Sequence, residues 1–439
     1  MTITLPALID CHVHFREPGF PEKGDMQSES ASAMAGGVMT VCDMPNTSPP
    51  LTSVEALQDK VRRFRKLRVS PSTELRTGGQ RSAFDMRFFF GVTEGSHLTA
   101  LRSIFLGHNS VLRELRGYCV GVKLYFDHST GNQGANMQVI EEAFTVCAKL
   151  DVPVVCHCED PATNAAAFTR EARSKKQEAI DSRILVHQSP VASHSLVRPP
   201  ESEAKAVADA IRFSRKHGTH LHVAHISTRE GVELVRQAKR EGLRVTCEVA
   251  QHHLFLTVDD YATLGTFGKM NPPLRSRDHR DALWQGIFDR TIDCIATNHA
   301  PHTLAEKRAS DWMHAPSGVP GVETMLPLLL TVAAGKWPHP TERLATCDLR
   351  LATGDWRLAT GDWRLALNSQ FSIPDIVRLC FTNPNRIFRL GKNPDDVSIE
   401  VDPDVELTIR GADLHAKCGW TPYEGWKVQG KVLRVITPQ

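Results

Sequence analysis

Eight short runs of β-branched and apolar residues recur along this chain, and each gives way to polar residues and then to a longer, helix-like pattern. They are ALID from Ala7, VMTVCD from Val38, MRFFFGV from Met86, CVGVKLY from Cys119, VPVVCH from Val152, HLHVAH from His220, RVTCEV from Arg244 and DCIAT from Asp293. Between them lie helical stretches such as IEEAFTVCAKL from Ile140, EAKAVADAIRFSRKHG from Glu203 and REGVELVRQAKREG from Arg229. The last two close on a glycine suited to the position just past a helix. Continuous apolar strands alternating with helices indicate parallel strands buried on both faces, because the crossover helices cover the sheet. Eight such units predict an α/β fold, a closed (β/α)8 barrel of the TIM type, in which chemistry sits at the C-terminal ends of the strands.

The 439 residues exceed what the barrel needs. We expect the barrel over residues 1–395 and a small strand-rich appendage over 396–439, because DVELTIRG from Asp404 and WKVQGKVLRVI from Trp426 alternate as strands do. A tandem repeat, RLATCDL from Arg343 and then RLATGDW from Arg350 and Arg357, interrupts the barrel near residues 343–366. Its glycines at 354 and 361 weaken a helix, so it reads as a surface insertion, with partner contact through Trp356 and Trp363 as the alternative.

A net charge of +2 with 23% charged residues gives no reason to expect nucleic acid or a membrane surface as partner. The basic segment KVRRFRKLRV from Lys60, followed by Arg76 and Arg81, reads as a solvated helix end and loop. Eleven cysteines form no CxxC pair, the start MTITLPALID lacks the pattern of a secretory signal, and the apolar run MLPLLLTVAA from Met325 is about half a membrane span. These features predict reduced thiols and a cytoplasmic location.

The strand ends carry unusual residues. DCHVHFREPG places His12 and His14 two apart, so that on an extended segment both imidazoles face one side. PVVCHCED and LHVAHIST offer His157 and His225 at the ends of the fifth and sixth strands. Lys123 sits inside the apolar strand GVKLYF, where an ammonium group is costly to bury unless a carboxylate pairs with it or the amine is chemically modified. A neutral amine can add CO2, and the carbamate so formed has two oxygens able to bridge two metal ions. Nitrogen and carbamate oxygen ligands suit zinc. His252, His253 and Glu248 are candidates for supporting such a site from behind.

Taken together, DCHVHFREPG, GGVMTVCDMPNT, GVKLYF, CEVAQHHLF, KMNPPLR, ATNHAPHT and VPGVETMLPLLL resemble the dihydroorotases of the amidohydrolase superfamily, those related to the dihydroorotase domain of animal multifunctional pyrimidine enzymes. TNPNRIFRLG and KCGWTPYEGW extend the likeness toward the C-terminus. The resemblance implies interconversion of N-carbamoyl-L-aspartate and L-dihydroorotate in pyrimidine biosynthesis. It implies His12 and His14 on one Zn2+, His157 and His225 on the other, and a CO2-derived carbamate on Lys123 bridging them. It further implies that Arg16, Asn46 and His302 grip the substrate, with Asn271 and the backbone near Gly318 as weaker contacts. The expected partners are this small-molecule substrate and, as an option, further copies of the chain.

One position departs from the family pattern. Strand eight ends in IDCIATNHAPH, so Asn298 stands where the resembling enzymes carry an aspartate that binds metal and shuttles a proton. Asparagine keeps a carbonyl oxygen but has no carboxylate to accept a proton. The expectation is an enzyme slowed at that step unless His299 or His302 substitutes. Two other readings stay open: a hydantoinase or allantoinase on the same scaffold, and a non-catalytic homologue that keeps the pocket.

Overall fold

The computed structural model describes residues 1–67, 84–128, 133–180, 190–309, 311–341 and 371–437. The repeat near 343–366, together with Arg76 and Arg81, lies outside the described residues.

Every apolar run expected to be a strand is one. The strands β2 (Leu8–Val13), β3 (Val38–Asp43), β4 (Asp85–Gly91), β5 (Cys119–Tyr125), β6 (Val154–His157), β7 (Leu221–Val223), β8 (Val245–Ala250) and β9 (Cys294–Ala296) form one eight-stranded parallel sheet in sequence order. A bridge from Val13 to His299, with the His14 amide donating to the His299 carbonyl at 2.7 Å, joins the two ends and closes the barrel.

Period-two alternation sorts the barrel residues. In β5, Val122 and Leu124 pack outward against helices, while Lys123 lines the interior pocket with Tyr125. The lower interior is filled by Ile9, Cys11, Cys42, Met44, Phe89, Val155 and Cys294 against Phe381, Ile387 and Phe388. Phe388 meets Phe89 edge-on at 5.4 Å, so the segment around it plugs the floor. The interior space therefore opens at the C-terminal ends of the strands.

The small sheet draws on both ends of the chain. Strand β1 (Ile3–Pro6) pairs antiparallel with β10 (Ser398–Thr408), which pairs with β11 (Lys427–Ile436). Nothing in the alternation of the C-terminal segment points to the N-terminal strand as its neighbour. The apolar run from Met325 is a buried helix, Met325–Ala333, and among the described residues no helix is long and apolar enough to cross a membrane. The ten described cysteines are all free and buried.

The basic segment from Lys60 corrects the sequence reading at one residue. Arg63, Arg65 and Lys66 do close a helix, Val54–Lys66, and Arg63 and Arg65 are exposed. Lys60 instead is buried and bonded to Asp43 at the end of β3, with the Met44 carbonyl at 3.2 Å. Asp43 in turn accepts from the Phe15 amide at 2.9 Å, so this buried pair braces the chain just beyond His14.

Candidate active site

The first two histidines leave β2 through an irregular stretch. The register with β3 shifts between Asp10 and Val13, and the result turns both Cys11 and His12 toward Glu248. Asp10 ties this bend to the end of β9, accepting from the amides of His12 at 3.1 Å and Thr297 at 3.2 Å. Its burial raises the carboxyl pKa to about 6.

Four imidazoles meet above it. Ring centroids lie 5.3 Å apart for His12 and His14, 5.1 Å for His12 and His225, and 4.7 Å for His157 and His225. Burial lowers the pKa of all four, His12 to about 4 with Glu248 resisting, which keeps the rings neutral. Neutral imidazole is the metal-binding form.

Hydrogen-bond partners fix which nitrogen of each ring carries the proton. His12 uses Nδ1 against Glu248, His14 uses Nδ1 against Asn46 Oδ1 at 2.6 Å, and His157 uses Nε2 against Glu159 Oε2 at 2.8 Å. A neutral ring has one proton, so the other nitrogen of each is left as a lone pair. For two of the rings the inner nitrogen has a near neighbour in the pocket: His14 Nε2 is 3.1 Å from Asn298 Oδ1, and His157 Nδ1 is 2.9 Å from His225 Nε2. Carboxylates and amides holding the outer nitrogen of a ligand histidine are the usual support of a metal centre.

Lys123 completes the set. Its Nζ is buried, has no hydrogen-bond partner, and stands 4.9 Å from the centroid of the Tyr125 ring. Of the two readings left open for this lysine, pairing with a barrel carboxylate is not seen among the described residues, and an orphan amine among imidazoles is costly as an ammonium. Desolvation lowers its pKa to about 8, so the neutral amine is far more accessible near neutral pH than for an ordinary lysine, though still the minor form. The donor set thus fits divalent metal: four neutral imidazoles, one amine without a hydrogen-bond partner, and the Asn298 carbonyl.

The pocket is lined by His12, His14, Lys123, His157, His225 and Asn298 at its base and by Arg16, Asn46, Asn271 and Gly318 at its rim. Arg16 donates from Nε to the Pro301 carbonyl at 3.0 Å and lies 3.0 Å from His302 Nε2. Among the described residues no carboxylate pairs with it; Glu17 is engaged elsewhere, by the Met26 amide and Arg63. Burial lowers its pKa to about 10, which still leaves it charged at neutral pH.

Three site residues, Arg16, His225 and Asn298, have positive φ of 65°, 32° and 48°. Strain of this kind concentrates at functional sites, and Asn tolerates it best of the three.

Neither proposed stand-in for the missing acid is placed for the task. His299 is fully buried with both nitrogens engaged: Nε2 on Glu29 at 2.6 Å, and Nδ1 accepting from the Gly321 and Val322 amides. His302 is also fully buried, behind Arg16 and outside the pocket lining. His302 lies beside Arg16 and against the wall residue Ser317, whose carbonyl is 3.2 Å from its Nε2, so it can steady both. Asn46 likewise has a second task, since its Oδ1 holds His14.

Glu159 escaped the sequence reading, whereas Glu248, His252 and His253 were expected to support the site from behind. Burial pushes Glu159 upward, but Arg198 and His157 outweigh it and bring the carboxyl to about 2. The HCED motif carried that signal, an acid two residues past a ligand histidine. Glu248 supports His12 and also reaches His222 Nε2 at 3.2 Å and Cys11 Sγ at 3.2 Å. Those three could crowd around an ion, but Glu248 is already committed to His12, so we read the trio as a hydrogen-bonded floor. His253 donates to the Pro272 carbonyl at 3.1 Å, and His252 is buried with no partner at either nitrogen.

A closed parallel barrel with clustered imidazoles and an isolated lysine at its mouth defines a class, and a family model agrees. The amidohydrolase family model matches residues 3–321, and the chain belongs to that family. Within it, the chain is 36% identical over 429 residues to a dihydroorotase of Halobacterium salinarum, covering 96% of this chain and 82% of that protein. It is 38% identical over 335 residues to a dihydroorotase of Bacillus caldolyticus, covering 75% of this chain and 67% of that one. The L-hydantoinase (dihydropyrimidinase) structure from Arthrobacter aurescens superposes with a TM-score of 0.78 at 22% identity, over 99% of this chain and 84% of that chain. That last likeness concerns the fold.

Proposed function

We propose that this chain is a metal-dependent cyclic amide hydrolase of the dihydroorotase type, interconverting L-dihydroorotate and N-carbamoyl-L-aspartate. The observation that carries the reading is the pairing of two features in one pocket: a partnerless buried amine ringed by neutral imidazoles, and a buried guanidinium without a carboxylate. The first suits metal ions, and the second suits the carboxylate of the substrate. Dihydroorotase relatives at 32–38% identity support the same assignment.

His12 and His14 would hold one zinc, His157 and His225 the other, and Lys123 as its carbamate would join them, with the Asn298 carbonyl completing the first set. When bound, two such ions supply Lewis acidity toward the amide carbonyl and acidify water to make the nucleophile. The chain's own residues do the rest. Arg16 anchors the substrate carboxylate with its planar fork, steadied by His302 and Pro301 from behind. Asn46, Asn271 and the backbone at Gly318 line the space where the ring would lie, and that fixed placement supplies proximity.

Proton transfer is the weak step. Opening the ring requires a proton to reach the departing ring nitrogen, and the Asn298 amide has no basic site to carry it. His299 and His302 are both withdrawn from the pocket. The reading is therefore a site complete for binding and slow in turnover.

A hydantoinase reading is less well matched, since hydantoins have no carboxylate to use Arg16. The test is turnover and binding of L-dihydroorotate, hydantoin and allantoin by zinc-loaded protein. The proposal expects selective binding of dihydroorotate with slow hydrolysis; tighter binding or faster turnover of hydantoin would displace it.

A further inference from the structure

Two buried lysines behind the pocket rim have no part in the chemistry above. Lys307 ends the short helix Leu304–Lys307 and is fully buried, yet among the described residues no carboxylate pairs with its ammonium. Its Nζ donates to three carbonyls: Lys269 at 3.0 Å, Pro316 at 3.1 Å and Gly318 at 3.1 Å. Lys269 repeats the arrangement one step outward, donating to the carbonyls of Trp312 at 2.8 Å, Met313 at 3.3 Å and Ala315 at 2.6 Å.

The two cages interlock. The Lys269 carbonyl that accepts from Lys307 also accepts from the Gly318 amide at 3.0 Å. Together the lysines gather five carbonyls from residues 312–318, a stretch with no strand or helix of its own. That stretch supplies Ser317 and Gly318 to the pocket wall. At Gly318 the backbone has φ of 143°, and a Cβ there would meet the Ala300 carbonyl oxygen at 2.7 Å, so the wall has little freedom to relax by a different path.

Burying two ammonium groups without counter-ions is expensive, and carbonyl dipoles offset only part of the cost. A neutral core would hold an internal loop more cheaply. The arrangement is understandable if the charges also serve the site. Burial lowers the pKa of both lysines, Lys269 to about 8, but each Nζ faces three carbonyl acceptors, a set that only an ammonium with three protons fills. The acids that act on them are turned elsewhere, Glu306 to Lys23 and Thr303 and Asp311 to His314, so the two lysines and Arg16 leave cationic groups behind the rim.

We propose that Lys307, backed by Lys269, is a positioning residue for anionic substrate: it holds the 312–318 backbone against the pocket and biases the rim toward a carboxylate. This rests on the dihydroorotase reading for the identity of the anion, and the readouts keep the two apart.

The experiment compares unmodified protein with Lys307→Met and Lys269→Met, all zinc-loaded, by calorimetric binding of L-dihydroorotate, metal analysis and amide hydrogen exchange. Binding is chosen because it does not depend on turnover at Asn298. The expected result is Kd raised about tenfold or more in Lys307→Met and by a smaller factor in Lys269→Met. Exchange should quicken over 311–318, while metal content and exchange across β9 stay unchanged. Should Lys307→Met fail to fold, Lys269→Met carries the test. Unchanged Kd and unchanged loop exchange in a folded variant would overturn the proposal. If the unmodified protein binds no dihydroorotate, the functional reading falls, and loop exchange alone then decides whether the lysines hold the wall.

Discussion

Asn298 concentrates the chemistry of this chain into one atom: an amide nitrogen, a neutral donor, stands where a carboxylate oxygen would carry negative charge and could take up a proton. Its backbone φ of 48° is one that Asp and Asn both tolerate, so Asn298→Asp should fold without added strain. We predict that this change raises the hydrolysis rate of dihydroorotate about 10²–10⁴-fold at saturating zinc, the usual range for a general acid/base. Equal rates would show that the proton travels by another route. Lys123 gives a second prediction: Lys123→Ala removes the group proposed to bridge the ions, so bound zinc measured by mass spectrometry should fall from the expected two per chain to one or none. At this scale the sequence was informative wherever residue type was improbable for its setting. An ammonium in an apolar strand and histidines at strand ends stand out against their neighbours. Lys60 and Glu159 did not, since a lysine in a basic helix and an acid beside a histidine look solvated until the fold brings Asp43 and Arg198 to them.

Elements matter here through what they hold at their ends. Strand β8 contributes Glu248, whose grip on His12 Nδ1 sets that ring's orientation and proton position. Glu248→Gln preserves shape but weakens that grip, and loss of such support typically costs about 10–100-fold in metal affinity, to be read by competition with a chelating dye. The plug segment is a separate device. Phe388 fills the barrel floor at 3% exposure, so Phe388→Ala should destabilise the protein by about 3–5 kcal/mol in denaturant unfolding, leaving the zinc content of the folded fraction unchanged. All eight barrel strands were legible because continuous apolar runs have few other uses in a chain of this composition. The pairing of β1 with β10 was not, since antiparallel neighbours nearly four hundred residues apart leave no local trace. The irregular register of β2, which lets Cys11 and His12 turn together, was equally invisible to a simple two-residue period.

At the scale of the whole molecule, the barrel presents a cationic, nitrogen-rich mouth above an apolar floor, and metal should couple the two halves of that mouth. Ions that bind only the folded state stabilise it by about 4 kcal/mol when present at a thousandfold excess over Kd. Exhaustive chelation should therefore lower the melting temperature by several degrees, and zinc should restore it. In the function proposed, Lys123 as a carbamate would join two cations among four imidazoles. Anomalous diffraction at the zinc edge, on crystals grown with zinc and bicarbonate, tests it most directly. We expect two peaks flanking density that continues past the Lys123 Nζ; a bare amine with no anomalous scatterer among His12, His14, His157 and His225 would rule the carbamate bridge out.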